Sequence, residues 1–220
     1  MTEVALPANP MSIELTITHR RLWWQTNDED HSPEHWDVSA DVWNLDLCRM
    51  EHRHVADISL AVADLHRDRH LMDSLVLGEW ALEFIAETVV DLADGKLNPE
   101  LDSQISPGTP RMVILRQFEL ANVWRGHGLG SALVAAALDA FSATARLAVC
   151  RISPTDFADQ TADRISAELA SVRMGALLER VGFRIWRGVH FVDLRNPALV
   201  DARMGSFERW LPRGGGKRDW

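Results

Sequence analysis

Seven consecutive residues, Arg125-Gly126-His127-Gly128-Leu129-Gly130-Ser131, drop the side chain at every second position just before an alanine-rich apolar run. Glycine lets the chain take positive φ and leaves no Cβ in the path of a bulky group. A turn of this kind at the mouth of a helix presents main-chain N–H groups that lack helical partners and carry partial positive charge. The matching ligand is a phosphate or pyrophosphate. Arg125 adds a planar donor able to grip phosphate oxygens. A nucleoside-triphosphate loop would close on Gly-Lys-Ser or Gly-Lys-Thr. Here Gly130-Ser131 carries no lysine, which argues against ATP and GTP. The dinucleotide fingerprint places its third glycine one residue later than Gly130. Without a ligand, the same residues read as a tight strand-to-helix turn.

Periodicity identifies the elements that must hold this turn. Residues 11–18 alternate apolar and polar side chains and read as a strand. Residues 27–37 are charged and contain a proline, which predicts a loop. Residues 41–50 and 54–65 alternate again, and the short Glu51-His52-Arg53 link predicts an antiparallel hairpin. From 68 to 95 the period changes to three and four, giving an amphipathic helix that ends at Gly95. Residues 98–110 form a turn-rich connector. Residues 111–121 are apolar and β-prone and make a central strand, followed by the glycine turn and a helix to about Phe141. Another strand spans 146–153. A loop then leads to a helix from about 163 to 181, and a closing pair of strands over 182–194 turns at Arg187 and Gly188. This order predicts an α/β fold with a mixed, twisted sheet. One domain spans 11–200, with a flexible leader at 1–10 and a flexible tail at 201–220.

Composition narrows the function. The chain has 220 residues and 46% hydrophobic content, enough for a packed core. Its net charge of −9 lacks the basic footprint of a general nucleic-acid binder. Glu79, Glu83 and Glu87 interrupt the longest apolar stretch, so no membrane span is expected. The first ten residues lack a basic region followed by an apolar block, so no secretion signal is expected. Cys48 and Cys150 do not make a disulfide framework. The expected location is the cytoplasm. His52, His54, His66 and His70 cluster downstream of Cys48, but their spacing matches no structural zinc pattern, and no metal is expected.

The Arg125-Gly126-His127-Gly128-Leu129-Gly130 segment resembles the R-x-x-G-x-G pyrophosphate loop of the GNAT superfamily of acyl-CoA-dependent N-acyltransferases. Residues 175–186, GALLERVGFRIW, resemble the helix end and Gly-Phe turn before that family's last strands. The likeness is good over 111–194 and loose before that. It also extends to bacterial acetyltransferase-like proteins with WRGHGLG at this point, which leaves the acceptor open.

The resemblance implies a GNAT-like mixed sheet whose two central parallel strands splay apart, flanked by helices. It further implies that the amides of Arg125, Gly126, His127, Gly128, Leu129, Gly130 and Ser131 bind the pyrophosphate of acetyl-CoA. Phe118, Glu119 and Leu120 would pair with the pantetheine arm. An amide near Leu120 would polarise the acetyl carbonyl. The acceptor would be an amine on a small molecule or peptide, with Glu119 as base, directly or through water. Many family members use a tyrosine as the acid. The corresponding position is Leu178, and the chain contains no tyrosine. Cys150 or Ser153 would substitute, or the proton would come from water. That departure keeps a second reading open: an acyl-CoA-binding protein that senses without turnover. Transfer to aminoacyl-tRNA is disfavoured by the acidic balance. The 68–95 helix departs from the family order and would serve as a lid or a homodimer element.

Overall fold

The computed structural model describes residues 6–21, 23–24, 33–44, 46–65, 80–91 and 96–211. Strands β1 (Glu14–His19), β2 (Glu34–Asp41) and β3 (His54–Asp64) are followed by helix α1 (Trp80–Val89) and a small pair, β4 (Val90–Asp91) with β5 (Lys96–Leu97). Then come α2 (Pro99–Asp102), β6 (Arg111–Leu120), α3 (Leu129–Asp139), β7 (Leu147–Cys150) and α4 (Arg164–Val181). β8 (Arg184–Trp186), β9 (Val189–Asp193) and α5 (Pro197–Trp210) complete the order.

The main sheet runs β1-β2-β3-β6-β7-β9-β8. Every neighbouring pair in it is antiparallel except β6 with β7, which are joined by the α3 crossover. The result is a mixed α/β domain with helices on both faces. On one face, Val134 and Leu138 of α3, Leu178 and Val181 of α4, and Leu199 of α5 pack on Ile58, Leu60 and Val113. On the other, Ile85 and Val89 of α1 and Leu101 of α2 pack on Met112, Ile114 and Phe191. Burying apolar surface on both faces of the central strands explains why 111–115 reads as a continuous hydrophobic run. Among the described residues, no helix is long and apolar enough to cross a membrane.

The β6–β7 pairing is short. It covers Met112, Val113 and Ile114 opposite Leu147, Ala148 and Val149. β6 then continues to Leu120, paired only with β3 on its other side. That half of β6 has one edge with no strand beside it.

Three expectations need correction. The second strand is 34–41, beginning within the stretch 27–37 read as a loop, whereas most of 41–50 is not a strand. Alternation of Trp36, Val38 and Ala40 toward the interior decides the matter, and the charges around them lie outward. Trp43 and Leu47, apolar residues of the expected strand, are exposed. The helix of 68–95 ends at Val89, not Gly95; its 68–79 portion and Gly95 lie outside the described residues. The run Thr88-Val89-Val90 is poor helix material, and the Asn98 amide takes the Val89 carbonyl at 2.8 Å. The expected tail is helical to Trp210: Asn196 caps α5 by accepting from the Ala198 amide at 3.0 Å, with Pro197 at the first helical position. Residues 212–220 lie outside the described residues.

Gly182 ends α4 in the left-handed region, at φ 101°. A Cβ there would lie 2.7 Å from the Cβ of Ala198 in α5. Gly182→Ala therefore combines left-handed strain of about 1–2 kcal/mol with overpacking of about 1–3 kcal/mol. Denaturant titration should show a loss of about 2–4 kcal/mol; an unchanged midpoint would mean that α5 does not seat at this turn.

Candidate functional site

The glycine turn is anchored before it begins. Trp124 is fully buried, and its indole N–H donates to the His52 carbonyl at 2.9 Å. Arg125 folds back, so that its Nε donates to the Leu120 carbonyl at 2.7 Å. This bond ties the end of β6 to the turn and leaves the two terminal guanidinium nitrogens available. Gly126 and Gly128 both sit in the left-handed region, at φ 83° and 80°. Gly128 is the N-cap of α3, and no side chain caps that helix. Its first-turn amides therefore have no side-chain partner.

Gly130 has a different task. A Cβ there would lie 2.6 Å from Leu177 Cδ1 and 3.3 Å from the Phe118 ring. The missing side chain is what lets α4 and the end of β6 close on the first turn of α3. Together they wall a groove of about 940 Å³. One bank is Phe118, Glu119 and Leu120 of β6 with the glycine turn; the other is the 154–160 turn and α4.

The groove brings together the expected anion-site residues. Phe118, Glu119 and Leu120 line it, as does every residue from 125 to 131 except His127. The His127 ring points toward α5, 6.4 Å from the Trp210 ring, while Arg209 Nη1 donates to the His127 carbonyl at 3.4 Å. Glu119 is exposed in the groove and lies opposite Asp57 across the β3–β6 ladder. The Asp57 carboxylate contacts His54 Nε2 at 2.9 Å, and Asp41 contacts His54 Nδ1 at 3.0 Å. Burial works against a charged His54, but hydrogen bonds and the fields of the two aspartates outweigh it and raise its pKa. Both ring nitrogens are engaged by carboxylates.

Cys150 and Ser153 lie outside the residues that line the groove. Cys150 is buried in the core, and burial pushes its thiol up to about 12. Its cross-strand partner is His190, also buried, whose Nδ1 has no hydrogen-bond partner and whose pKa burial lowers. Ser153 forms a capping box with Asp156: its Oγ accepts from the Thr155 amide at 3.4 Å, and its own amide donates to Asp156 at 2.7 Å. Leu178 is fully buried against the sheet.

The α4 bank is absent from the sequence reading. It presents Leu169, Met174 and Leu177 together with Arg173 and Arg180. The legible signal is Arg173-x3-Leu177-x2-Arg180: two arginines on the face of one apolar residue, with no acid three or four positions from either. No protein-family model matches the sequence, and no curated protein matches it either.

A thiol with a pKa of about 12 is roughly one part in ten thousand thiolate at pH 8. In the folded protein, Cys150 should resist iodoacetamide at pH 8 by at least a hundredfold relative to free cysteine, and label only on unfolding. Peptide mass spectrometry reads this directly; rapid native labelling would return Cys150 to the list of reactive groups.

Proposed function

We propose that this chain is a GNAT-type N-acetyltransferase that moves an acetyl group from acetyl-CoA to an amine of a small molecule or peptide. One observation carries the reading: uncapped amides of α3, opened by left-handed Gly126 and Gly128, face a groove beside the strand-free edge of β6. That arrangement fits a pyrophosphate attached to an extended arm. The amides and Arg125 receive the phosphates, and the open edge of β6 satisfies an arm that carries its own amides. The strand-free edge of β6 beyond Ile114 supports this reading, which expects the central strands to part there. Two free, buried cysteines suit the cytoplasm.

Acetyl-CoA supplies an acetyl thioester. An acceptor amine nitrogen forms the new C–N bond to the acetyl carbon as the C–S bond breaks. Glu119, exposed on the groove wall, takes the proton lost by nitrogen, directly or through one water. A main-chain amide near Leu120 stabilises charge on the acetyl oxygen. The departing thiolate takes its proton from water.

A second reading, an acyl-CoA-binding protein without turnover, is favoured by one feature. Leu178 stands where family members carry their tyrosine acid, and it is wholly in the core.

Binding is tested by thermal shift. At a hundredfold excess over Kd, acetyl-CoA adds about 2.7 kcal/mol, so the melting temperature of a chain this size should rise by about 5–10 °C. Gly128→Glu should abolish the rise, whereas Gly128→Asn, which tolerates the left-handed region, should keep the fold. An undiminished rise in the glutamate variant would place the ligand elsewhere. Catalysis is tested by thiol release over a panel of aminoglycosides, polyamines, amino acids and peptide N-termini. Glu119→Gln should lower turnover by about 10²–10⁴ with ligand binding unchanged; binding without thiol release on any amine would select the second reading.

A further inference from the structure

Two helix arginines find carboxylates, and a third, Arg209, donates to the His127 carbonyl. Arg164 pairs with Glu168 at 3.0 Å and Arg203 with Asp139. Arginines at the starts of the two central strands pair as well: Arg111 meets Glu34 at 2.9 Å and Arg146 meets Asp102 at 2.6 Å. Arg173 and Arg180 differ. Both are exposed, both line the groove, and among the described residues neither makes a hydrogen bond or an ion pair.

Their position is fixed by Leu177, whose Cδ1 occupies the space a Gly130 Cβ would need. Arg173 lies four residues before Leu177 and Arg180 three after, so all three share one face of α4. The two arginines are about 10 Å apart along the helix axis. They therefore flank the first turn of α3 on the opposite wall from Arg125. A chain of net charge −9 repels a polyanion at long range. Leaving guanidinium groups without acids on this wall reverses that field where an anion must enter.

We propose that Arg173 and Arg180 recognise a second phosphate group on the ligand, a monoester distinct from the pyrophosphate held at the glycine turn. Resting on the acetyl-CoA reading, this group is the 3′-phosphate of the ribose, and α4 makes the site selective for coenzyme A over its 3′-dephospho form. Guanidinium suits the task because it stays charged and offers paired donors to phosphate oxygens.

Isothermal titration of the full chain with coenzyme A and with 3′-dephospho-coenzyme A tests the assignment. The wild type should bind coenzyme A at least tenfold more tightly. In R173Q/R180Q that ratio should fall below threefold, while dephospho binding stays within about threefold of wild type. R173K/R180K, which restores the charges, should recover part of the ratio; simple damage to α4 would not be reversed this way. Equal affinity of the wild type for both ligands, or a preference that survives in R173Q/R180Q, overturns the inference and leaves the glycine-turn site standing. A wild type that binds neither ligand overturns both.

Discussion

Backbone hydrogen-bonding capacity left open at one place governs this site. β6 loses its parallel partner after Ile114 yet stays extended to Leu120. Immediately afterwards, α3 begins with no side chain over its first turn. Amide and carbonyl groups in such positions need partners from water or from a ligand. Trp124 is sunk in the core and pins the chain before the turn, and Arg125 holds the Leu120 carbonyl. At Gly126 and Gly128 most residues other than Asn or Asp would cost about 1–2 kcal/mol in the left-handed conformation. The turn is pinned at its start and lines the groove.

Charge is distributed unevenly along that groove. Arg125, Arg173 and Arg180 stand along its walls, in a protein that is acidic as a whole. On the β6 wall, Glu119 faces Asp57, which together with Asp41 holds His54. Because His54 is raised above its ordinary value, it gives stability that is fully present below about 6.5 and is lost as pH rises through the folded value. Protonated, it donates to both aspartates and offsets part of their charge; deprotonated, it leaves the strand pair more negative. The acidic patch beside Glu119 thus grows more negative as pH rises through the raised His54 pKa.

The elements nearest the site were legible in the sequence because their signals are local. An apolar run, alternate glycines and an alanine-rich helix lie in unbroken succession, so β6, the turn and α3 emerge with nearly their observed bounds. The hairpin at Arg187 and Gly188 is equally local: both residues have positive φ. What escaped depended on distant partners. Charges and Pro33 disguised β2, whose strand character comes from pairing with β1 and β3. α5 carried a proper Asn196-Pro197 start, but its polar sequence concealed the apolar stripe that meets α3. The α4 arginines share a face with Leu177 in the sequence, but nothing local says that this face will meet Gly130.

Cys150 and Ser153 illustrate how packing removes chemistry that residue types permit. Effective acid catalysis needs a donor within reach and with a pKa near the working pH. Cys150 meets neither condition: it sits in the core outside the groove lining, and its thiol is pushed up to about 12. Ser153 is spent on the capping box that starts the 154–160 turn. Leu178 offers no proton, and its neighbour Leu177 is the one that reaches the groove. The groove is open along the α4 bank, where Arg173 and Arg180 are exposed, so water reaches its interior. What packing leaves on the groove wall is uncapped main-chain donors at the start of α3 and one exposed carboxylate, Glu119.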